Sequence, residues 1–178
     1  MKGVVFNLLE QLVVRDFGEG TWDALLDASG LEGSYTSLGS YPDEDLYKLV
    51  SAAAEALSMP ADGVVSWFGR NAVPLFADRY PQLFAPHDST RSFVLTLNDI
   101  IHPEVRKLYP GADVPEFDFD SREELLVMGY RSPRKLCSFA EGLLLGAGDH
   151  YGERLAIEQP VCMKRGDDHC VLEIGFSR

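Results

Sequence analysis

His102 is the residue in this sequence whose type and setting point most directly to chemistry. It lies in NDIIHPEVRKLYPGADVPEF, on a predicted amphipathic helix whose apolar positions recur every three or four residues, at Leu97, Ile101, Val105 and Leu108. Pro110 and Gly111 are expected to end this helix and to turn the chain back across it. An imidazole beside a buried face predicts a metal ligand; the alternative is a hydrogen-bonded histidine at the edge of the core.

Tyr130, Ser132 and Arg134 form a second candidate site, within MGYRSPRKLC. Their spacing of two residues places all three side chains on one side of an extended backbone. Each can donate a hydrogen bond, and the Arg134 guanidinium can make a bidentate, charge-assisted contact to a carboxylate. The row therefore suits a ligand with two carboxylates, such as the propionates of a haem. The local alternative is that Ser132 is the N-cap of a helix with Pro133 at its first position.

These residues together resemble the H-NOX domains, haem nitric oxide/oxygen sensors related to the haem domain of soluble guanylate cyclase. The similarity rests on His102 in HPEVRKLYP, on Pro115 after it, and on the Y-x-S-x-R pattern from Tyr130 to Arg134. It covers the whole chain and is greatest to stand-alone bacterial NO sensors that end in a cysteine-bearing hairpin. The resemblance implies haem b as the cofactor, with His102 bound to the ferrous iron and Tyr130, Ser132 and Arg134 to the propionates.

The resemblance also implies which side chains line the opposite, distal side of the haem. The matching positions are all apolar, namely Val5, Leu9, Phe139 and Leu143, with Phe76 or Val73 as further candidates. Oxygen-binding members have a tyrosine at the position of Phe139 and a tryptophan at that of Leu9. Bound O2 needs a hydrogen-bond donor in a low-dielectric pocket, whereas NO binds ferrous haem without one. The chain is therefore expected to bind NO and CO and to exclude O2.

A signalling mechanism follows as a hypothesis. NO bound opposite His102 would weaken the iron–imidazole bond, so that the haem relaxes and the helical N-terminal lobe shifts against the sheet. The resemblance gives Pro115 the role of pressing on the porphyrin and keeping it distorted. The signal would then pass to a separately encoded histidine kinase or cyclic-di-GMP enzyme, as in similar stand-alone members.

The composition limits the classes of function open to the chain. Its 178 residues, 46% of them hydrophobic, suffice for one well-buried domain and leave hardly any room for a second, catalytic one. A net charge of -12 disfavours nucleic acid and anionic membranes as partners and favours a basic protein surface. A cytoplasmic location is predicted, because the sequence shows no transmembrane segment and no signal peptide.

The order of the predicted elements indicates an α+β fold, with helices first and a small antiparallel sheet last, packed together around haem. Helices are expected over residues 3–17, 21–30 and 42–57, from 60 with a bend or break at Pro74, over the His102 segment, and over 133–148. A loop is expected around Pro86 and His87. Strands are expected over 116–120, 125–130, 154–163 and 169–176. We treat residues 1–178 as one domain, with a helical lobe at 1–60 and a haem-ligating and sheet lobe at 61–178.

Three cysteines form a further candidate site. Cys162 and Cys170 flank the predicted hairpin turn at equal distance, so they should lie side by side on one face. Cys137 comes from the first turns of a helix that should pack nearby. Three thiolates at one place suggest structural zinc, which requires four ligands.

The fourth zinc ligand is the weak point of that assignment. Similar zinc-bearing proteins have a histidine at the position of Gln159, whose amide is a poor ligand. His169 is the first substitute, although its position next to Cys170 in a strand should direct it away, and Glu158 and His150 are further candidates. Free buried thiols, or a redox-sensitive disulfide between Cys162 and Cys170 or involving Cys137, are the alternatives.

Three classes of function therefore compete. A gas-binding sensor without catalysis is favoured. A haem enzyme, such as a peroxidase or dehydratase, would need an acid or base on the distal side, and the apolar matching positions provide none. The third class is a haem-free interaction or redox module organised by the cysteine hairpin, which the joint presence of His102, Tyr130, Ser132 and Arg134 argues against.

Overall fold

Helices make up the first part of the chain in the computed structural model, which describes residues 1–122 and 124–177. They are α1 (Gly3–Phe17), α2 (Glu19–Ser29), α3 (Asp43–Leu57), α4 (Ala61–Arg79), α5 (Pro81–Phe84), α6 (Thr90–Val94), a π-helix (Leu97–Ile101) and α7 (His102–Leu108). The apolar faces of α1 to α4 meet in one core, where Phe6, Leu12 and Leu49 are at most 1% exposed. Within the described residues, no helix is both long and apolar enough to cross a membrane.

The second part of the chain is a four-stranded antiparallel sheet with one long helix against it. Its elements are β1 (Glu116–Arg122), β2 (Leu125–Arg131), α8 (Cys137–Tyr151), β3 (Arg154–Val161), a 3-10 turn (Met163–Arg165) and β4 (Cys170–Ser177), with the strand order β1-β2-β4-β3. Alternate residues of the central strands point to α8, so that Met128 lies opposite Leu172 in a second apolar core. The predicted α+β fold with a small antiparallel sheet is confirmed.

Helices α4 and α8 connect the two parts. They pack at short range because glycines replace side chains at the contact: a Cβ at Gly69 would lie 2.5 Å from the carbonyl oxygen of Phe139. Val64, Val65 and Phe68 of α4 belong to the core of the N-terminal helices. Helix α4 therefore packs both in the N-terminal core and against α8. The predicted boundary between two lobes at residue 60 stays a prediction.

The helix boundaries differ from the predicted ones at three places. Pro74 does not break α4, because the residue itself is exposed while its neighbours Val73 and Ala77 are buried against the rest of the fold. Helix α2 begins at Glu19 and not at Thr21, whose hydroxyl donates to the carbonyl of Phe17 instead. The loop expected around Pro86 and His87 is flanked by two short helices, α5 and α6.

The helix that carries His102 is not the single α-helix predicted. Residues 97–101 form a π-helix, in which the N–H of Ile101 donates to the carbonyl of Thr96, five residues back. The N–H of His102 likewise donates five residues back, to Leu97, and Pro103 has no N–H to donate, so the regular helix α7 starts only at His102. The helix ends at Leu108, before Pro110 and a left-handed Gly111, as predicted.

Candidate functional site

A cavity of about 500 Å³ lies between the helical part and the sheet. Its size is within the range of small-molecule and cofactor sites, which is roughly 300 to 1,000 Å³. The structure brings nearly all the predicted cofactor residues to its wall, namely Val5, His102, Pro115, Tyr130, Ser132, Arg134, Phe139 and Leu143, together with Val73 and Phe76. Leu9 is the exception.

Leu9 lies one helical turn after Val5 on α1, about 6 Å further along the axis. Its side chain is 5% exposed and lines a second, smaller cavity of about 90 Å³ between the N-terminal helices. Val50 lines both cavities and lies between them. The structure therefore does not bring Leu9 into contact with the larger cavity.

The His102 side chain enters the larger cavity from the start of α7. It is 9% exposed, its ring stacks against that of Phe117 with centroids 5.5 Å apart, and we find no hydrogen bond to it from the described residues. Burial, assisted by the positive charge of Arg106, lowers the pKa of His102 to about 4. The imidazole is therefore neutral at pH 7, the state in which a histidine can bind a metal ion.

Tyr130 and Ser132 lie on the cavity wall just before α8. Burial raises the pKa of Tyr130 to about 12, so its hydroxyl stays protonated at neutral pH. This hydroxyl accepts a hydrogen bond of 3.0 Å from the backbone N–H of Leu136, which leaves its own proton free to be donated to a ligand.

The alternative that made Ser132 the N-cap of the following helix is wrong. Helix α8 begins at Cys137, because Lys135 has a φ of 50° that interrupts helical geometry before it. The Ser132 hydroxyl instead accepts from the N–H of Arg134 at 3.3 Å, within a tight turn. Since β2 ends at Arg131, only Tyr130 of the predicted row belongs to a strand, although all three members reach the cavity.

Arg134 makes ionic contacts with two parts of the chain. Its Nε donates to the Asp43 carboxylate at 2.7 Å and its Nη1 to that of Asp113 at 3.0 Å. Burial would raise the pKa of Asp43, but hydrogen bonds from the Met1 amino group and from Arg134 outweigh it and hold that pKa below the ordinary value. The guanidinium has further N–H groups, so it can also bind a carboxylate in the cavity.

The wall formed by α1, α4 and α8 is apolar. Val5, Phe139 and Leu143 line it, and the rings of Phe68 and Phe139 pack with centroids 5.0 Å apart. None of these side chains has a polar atom, so this wall offers a diatomic ligand no hydrogen-bond donor.

Two tyrosines that sequence reasoning did not single out also line the cavity. The hydroxyls of Tyr80, after α4, and Tyr109, after α7, make a hydrogen bond to each other. Burial and this contact raise the pKa of Tyr109 to about 12. The place of Tyr109 at the end of the His102 helix, directly before Pro110, could have marked it as a candidate site residue. Nothing local in the sequence marks Tyr80 as its partner.

The structure brings the three cysteines together at the turn between β3 and β4. All are buried free thiols, their sulfurs lie within 4.8 Å of one another, and the Cys137 and Cys162 sulfurs are 3.8 Å apart. Burial raises the pKa of Cys170 to about 12. Burial also acts to raise the pKa of Cys162, but hydrogen bonds from the backbone N–H of Lys164 and from the thiols of Cys137 and Cys170 outweigh it and lower that pKa.

None of the predicted fourth zinc ligands joins this cluster among the residues that the structure describes. His169 contacts the neighbouring Asp168 carboxylate instead. The side-chain Nε2 of Gln159 is buried without a hydrogen-bond partner. Zinc binding therefore stays a prediction.

The residues around the larger cavity fit a haem. A buried neutral imidazole can bind the iron, while a protonated phenol, a hydroxyl and a guanidinium can bind carboxylates. Apolar side chains from three helices provide the dry surroundings that a porphyrin requires.

Comparison with known proteins gives the same assignment. A sequence model described as Haem-NO-binding matches residues 2–159. The chain is similar to the H-NOX protein of Shewanella oneidensis in its Fe(II)NO state, with 36% identity, a TM-score of 0.94 and coverage of 100% of both chains. It is also similar to the unliganded Fe(II) H-NOX protein of K. algicida, with 26% identity and a TM-score of 0.89 over 100% of this chain and 97% of that one.

A curated relative extends the similarity to animals. Soluble guanylate cyclase gcy-32 of Caenorhabditis elegans is 34% identical over 71 residues, which are 39% of this chain. The match spans only 10% of the length of that cyclase. The family match over nearly the whole chain, together with the shared fold, shows that this chain belongs to the H-NOX family of haem-binding, gas-sensing domains related to soluble guanylate cyclase, which are sensors and not catalysts.

Proposed function

We propose that this chain is a nitric oxide sensor that binds NO and CO, but not O2, at ferrous haem b and regulates a separate protein in the cytoplasm. The observation that carries the proposal is that Val5, Phe139 and Leu143 line the cavity with apolar side chains, which offer a bound gas no hydrogen-bond donor. When bound, the haem would supply a ferrous iron with an axial position open to a diatomic gas.

The side chains of the cavity account for the preference among gases. A tight O2 complex depends on a hydrogen-bond donor in a low-dielectric pocket, and the wall of α1, α4 and α8 has none. The hydroxyls of Tyr80 and Tyr109 share one hydrogen bond, which uses one of their two protons. Tyr109 directly follows the helix that carries the proposed iron ligand His102, so it does not belong to the apolar wall of α1, α4 and α8. NO and CO need no such donor, so the same wall favours them.

The polar residues that line the cavity would hold the cofactor. His102 is the proposed iron ligand, and Tyr130, Ser132 and Arg134 the proposed donors to the propionates. Pro115, which also lines the cavity, is the residue proposed to press against the porphyrin. Its ring is rigid, so it can maintain such a contact without yielding.

His102 also connects the proposed haem site to the helices, so a change at the iron can be transmitted to the rest of the molecule. It is the first residue of α7, directly after the π-helix. If the imidazole is released, α7 loses its anchor in the cavity, and the helical part can move relative to the sheet. We propose that a histidine kinase or a cyclic-di-GMP enzyme senses this change.

Absorption spectroscopy of the reduced protein tests this function directly. We expect a five-coordinate, high-spin ferrous haem whose spectrum changes with NO and with CO. Exposure to air should give slow oxidation and no stable O2 complex. A stable O2 complex would contradict the proposed selectivity, and failure to take up haem on reconstitution would contradict the whole proposal.

The clustered thiols support a second candidate function, a zinc- or redox-responsive hairpin. Three sulfurs within 4.8 Å can bind a metal ion or form a disulfide, and the lowered pKa of Cys162 favours the thiolate that either reaction requires. Metal analysis of the purified protein, with Cys162→Ser as the variant and Gln159→His to restore a fourth ligand, tests the zinc option. Zinc absent from the wild type and from Gln159→His would eliminate it.

A further inference from the structure

The smaller cavity reaches the surface of the helical part through three apolar residues. Phe17 at the end of α1, Leu57 at the end of α3 and Met59 before α4 all line it, yet they are 45%, 47% and 42% exposed. At about 90 Å³ the cavity is too small for a cofactor, since such sites occupy roughly 300 Å³ or more. We call the cavity and these three rim residues the Met59 pocket.

The segment that forms most of the Met59 pocket, residues 1–60, is strongly acidic. Residues 1–60 contain ten Asp and Glu residues but only three Lys and Arg residues, and so carry most of the net charge of -12. Glu19 and Asp23 on α2 and Glu55 on α3 are exposed, and none of them takes part in an ion pair within residues 1–122 and 124–177. Their carboxylates are therefore available to a positively charged partner.

We infer that the Met59 pocket is the docking site for a basic amphipathic helix of a partner protein, which inserts one apolar side chain between Phe17, Leu57 and Met59. An apolar anchor in a pocket, surrounded by complementary charges, is the usual arrangement of helix recognition. The inference deepens the proposed function by locating its partner, and it does not depend on which gas is bound.

Charge also decides against the other occupants of this face. A second copy of the chain using the same face would bring two acidic surfaces together, and nucleic acid or an anionic membrane would be repelled in the same way. A partner with lysines and arginines around its apolar anchor avoids this repulsion and is attracted by the acidic residues instead.

Binding of a model peptide to the haem-loaded protein tests the inference. The probe is a fluorescein-labelled 14-residue peptide of Leu and Lys at helical spacing, measured by fluorescence anisotropy. We expect saturable binding at low ionic strength that weakens by at least about tenfold between about 20 mM and about 200 mM salt, because exposed charges are screened. Absence of binding at the lower salt concentration would overturn the inference.

Two matched variants separate pocket binding from general charge attraction. Met59→Glu and Leu38→Glu each add one negative charge to the helical part, but Leu38, at 66% exposure, is not part of the pocket. A charged residue in the rim should weaken peptide binding by about tenfold or more, whereas Leu38→Glu should leave it equal or slightly tighter. Equal effects, or tighter binding by Met59→Glu, would overturn the pocket assignment.

Two further measurements address the other occupants. A dimer in sedimentation equilibrium that Met59→Glu abolishes would assign the face to a second copy, and binding to phosphatidylserine vesicles would assign it to a membrane; either result overturns the inference. Unchanged haem and NO spectra in both variants will show that the proposed haem site is intact. If the gas selectivity fails but the peptide results hold, only the proposed function is lost.

Discussion

His102 enters the cavity as a buried, neutral imidazole, and its replacement by glycine is the sharpest residue-scale test of the cofactor site. His102→Gly removes the proposed nitrogen ligand and adds nothing to the cavity. We expect altered ferrous absorption bands and weaker retention of haem, both reversed by added imidazole, which can bind the iron in place of the side chain. Absorption spectra and resonance Raman spectra, with and without imidazole, measure these effects.

His150 provides the control for that substitution. It is exposed near the end of α8 and does not line the cavity, so His150→Gly should leave the haem spectra unchanged while carrying the same cost of a glycine in a helix. A His102→Gly protein that keeps its haem with an unchanged iron ligand would show that another residue binds the iron.

Phe139 offers the opposite experiment, the addition of a donor to the apolar wall. Phe139→Tyr places a hydroxyl in a water-poor cavity, where a hydrogen bond to a partly charged O2 contributes about 1.5 to 3 kcal/mol, or about tenfold to 150-fold in affinity. We therefore expect this variant to form an O2 complex that persists in air, as recorded by absorption spectroscopy. Phe139→Leu changes the same position without a hydroxyl and should form none.

The residue scale also shows how far sequence reasoning reaches into a site. The residue types of Tyr130, Ser132 and Arg134 predicted one shared ligand, and all three line the cavity, although Ser132 and Arg134 lie beyond the end of the strand that their spacing predicted. The local bonds of Ser132 were predicted wrongly, because the left-handed conformation of Lys135 delays α8 by four residues and a lysine gives no sign of it. For Leu9, the resemblance to the family could not show that its place on α1, one turn after Val5, directs it to another cavity.

At the scale of elements, the contact between α4 and α8 gives the apolar wall its shape. A Cβ at Gly142 would collide with the carbonyl oxygen of Ser66 on α4, and backbone cannot move aside as a flexible side chain can. Gly142→Ala should therefore lower the free energy of unfolding by about 1 to 3 kcal/mol, despite the higher helix propensity of alanine. Urea unfolding measures the change.

Gly20 is the matched control for this prediction. It lies in the first turn of α2, and a Cβ there would meet no described atom within 4 Å. Gly20→Ala should be neutral or stabilising by up to about 1 kcal/mol. If Gly142→Ala were equally neutral, the close approach of α4 and α8 would not be rigid, and the wall could adjust to larger ligands.

Periodicity predicted the long elements and failed for the short ones. Helices α1 and α3 and the β3–β4 hairpin were predicted to within a few residues, because each buries one face over several turns or alternations. Helices α5 and α6 have four and five residues, too few for any period to appear. The π-helix over Leu97–Ile101 precedes Pro103, and this proline predicts only the loss of one backbone hydrogen bond, not which bonds replace it.

At the scale of the whole molecule, one arginine connects the helical part, the loop after α7 and the turn between β2 and α8. Arg134 bonds to Asp43, 91 residues away in sequence, and to Asp113. Asp43 begins an acidic run in the first turn of α3, where the helix dipole favours negative charge, and this local effect can be inferred from the sequence. Its long-range partner could not be predicted, because no local pattern encodes a pairing across 91 residues.

This contact predicts a dependence of stability on pH. The pKa of Asp43 lies below its ordinary value of 3.8, so its contribution is fully present above that pH and is lost as the pH falls further. Asp43→Asn should therefore destabilise the protein by about 1 to 2 kcal/mol at pH 7, with a difference from wild type that shrinks below about pH 4. Glu44→Gln removes an equivalent charge from the same helix end without an ion pair among the described residues, and should cost less. If urea unfolding showed equal losses of unfolding free energy for the two variants, Asp43 would act only through the helix dipole. Its ion pair with Arg134 would then not stabilise the contact between the helical part and the sheet part.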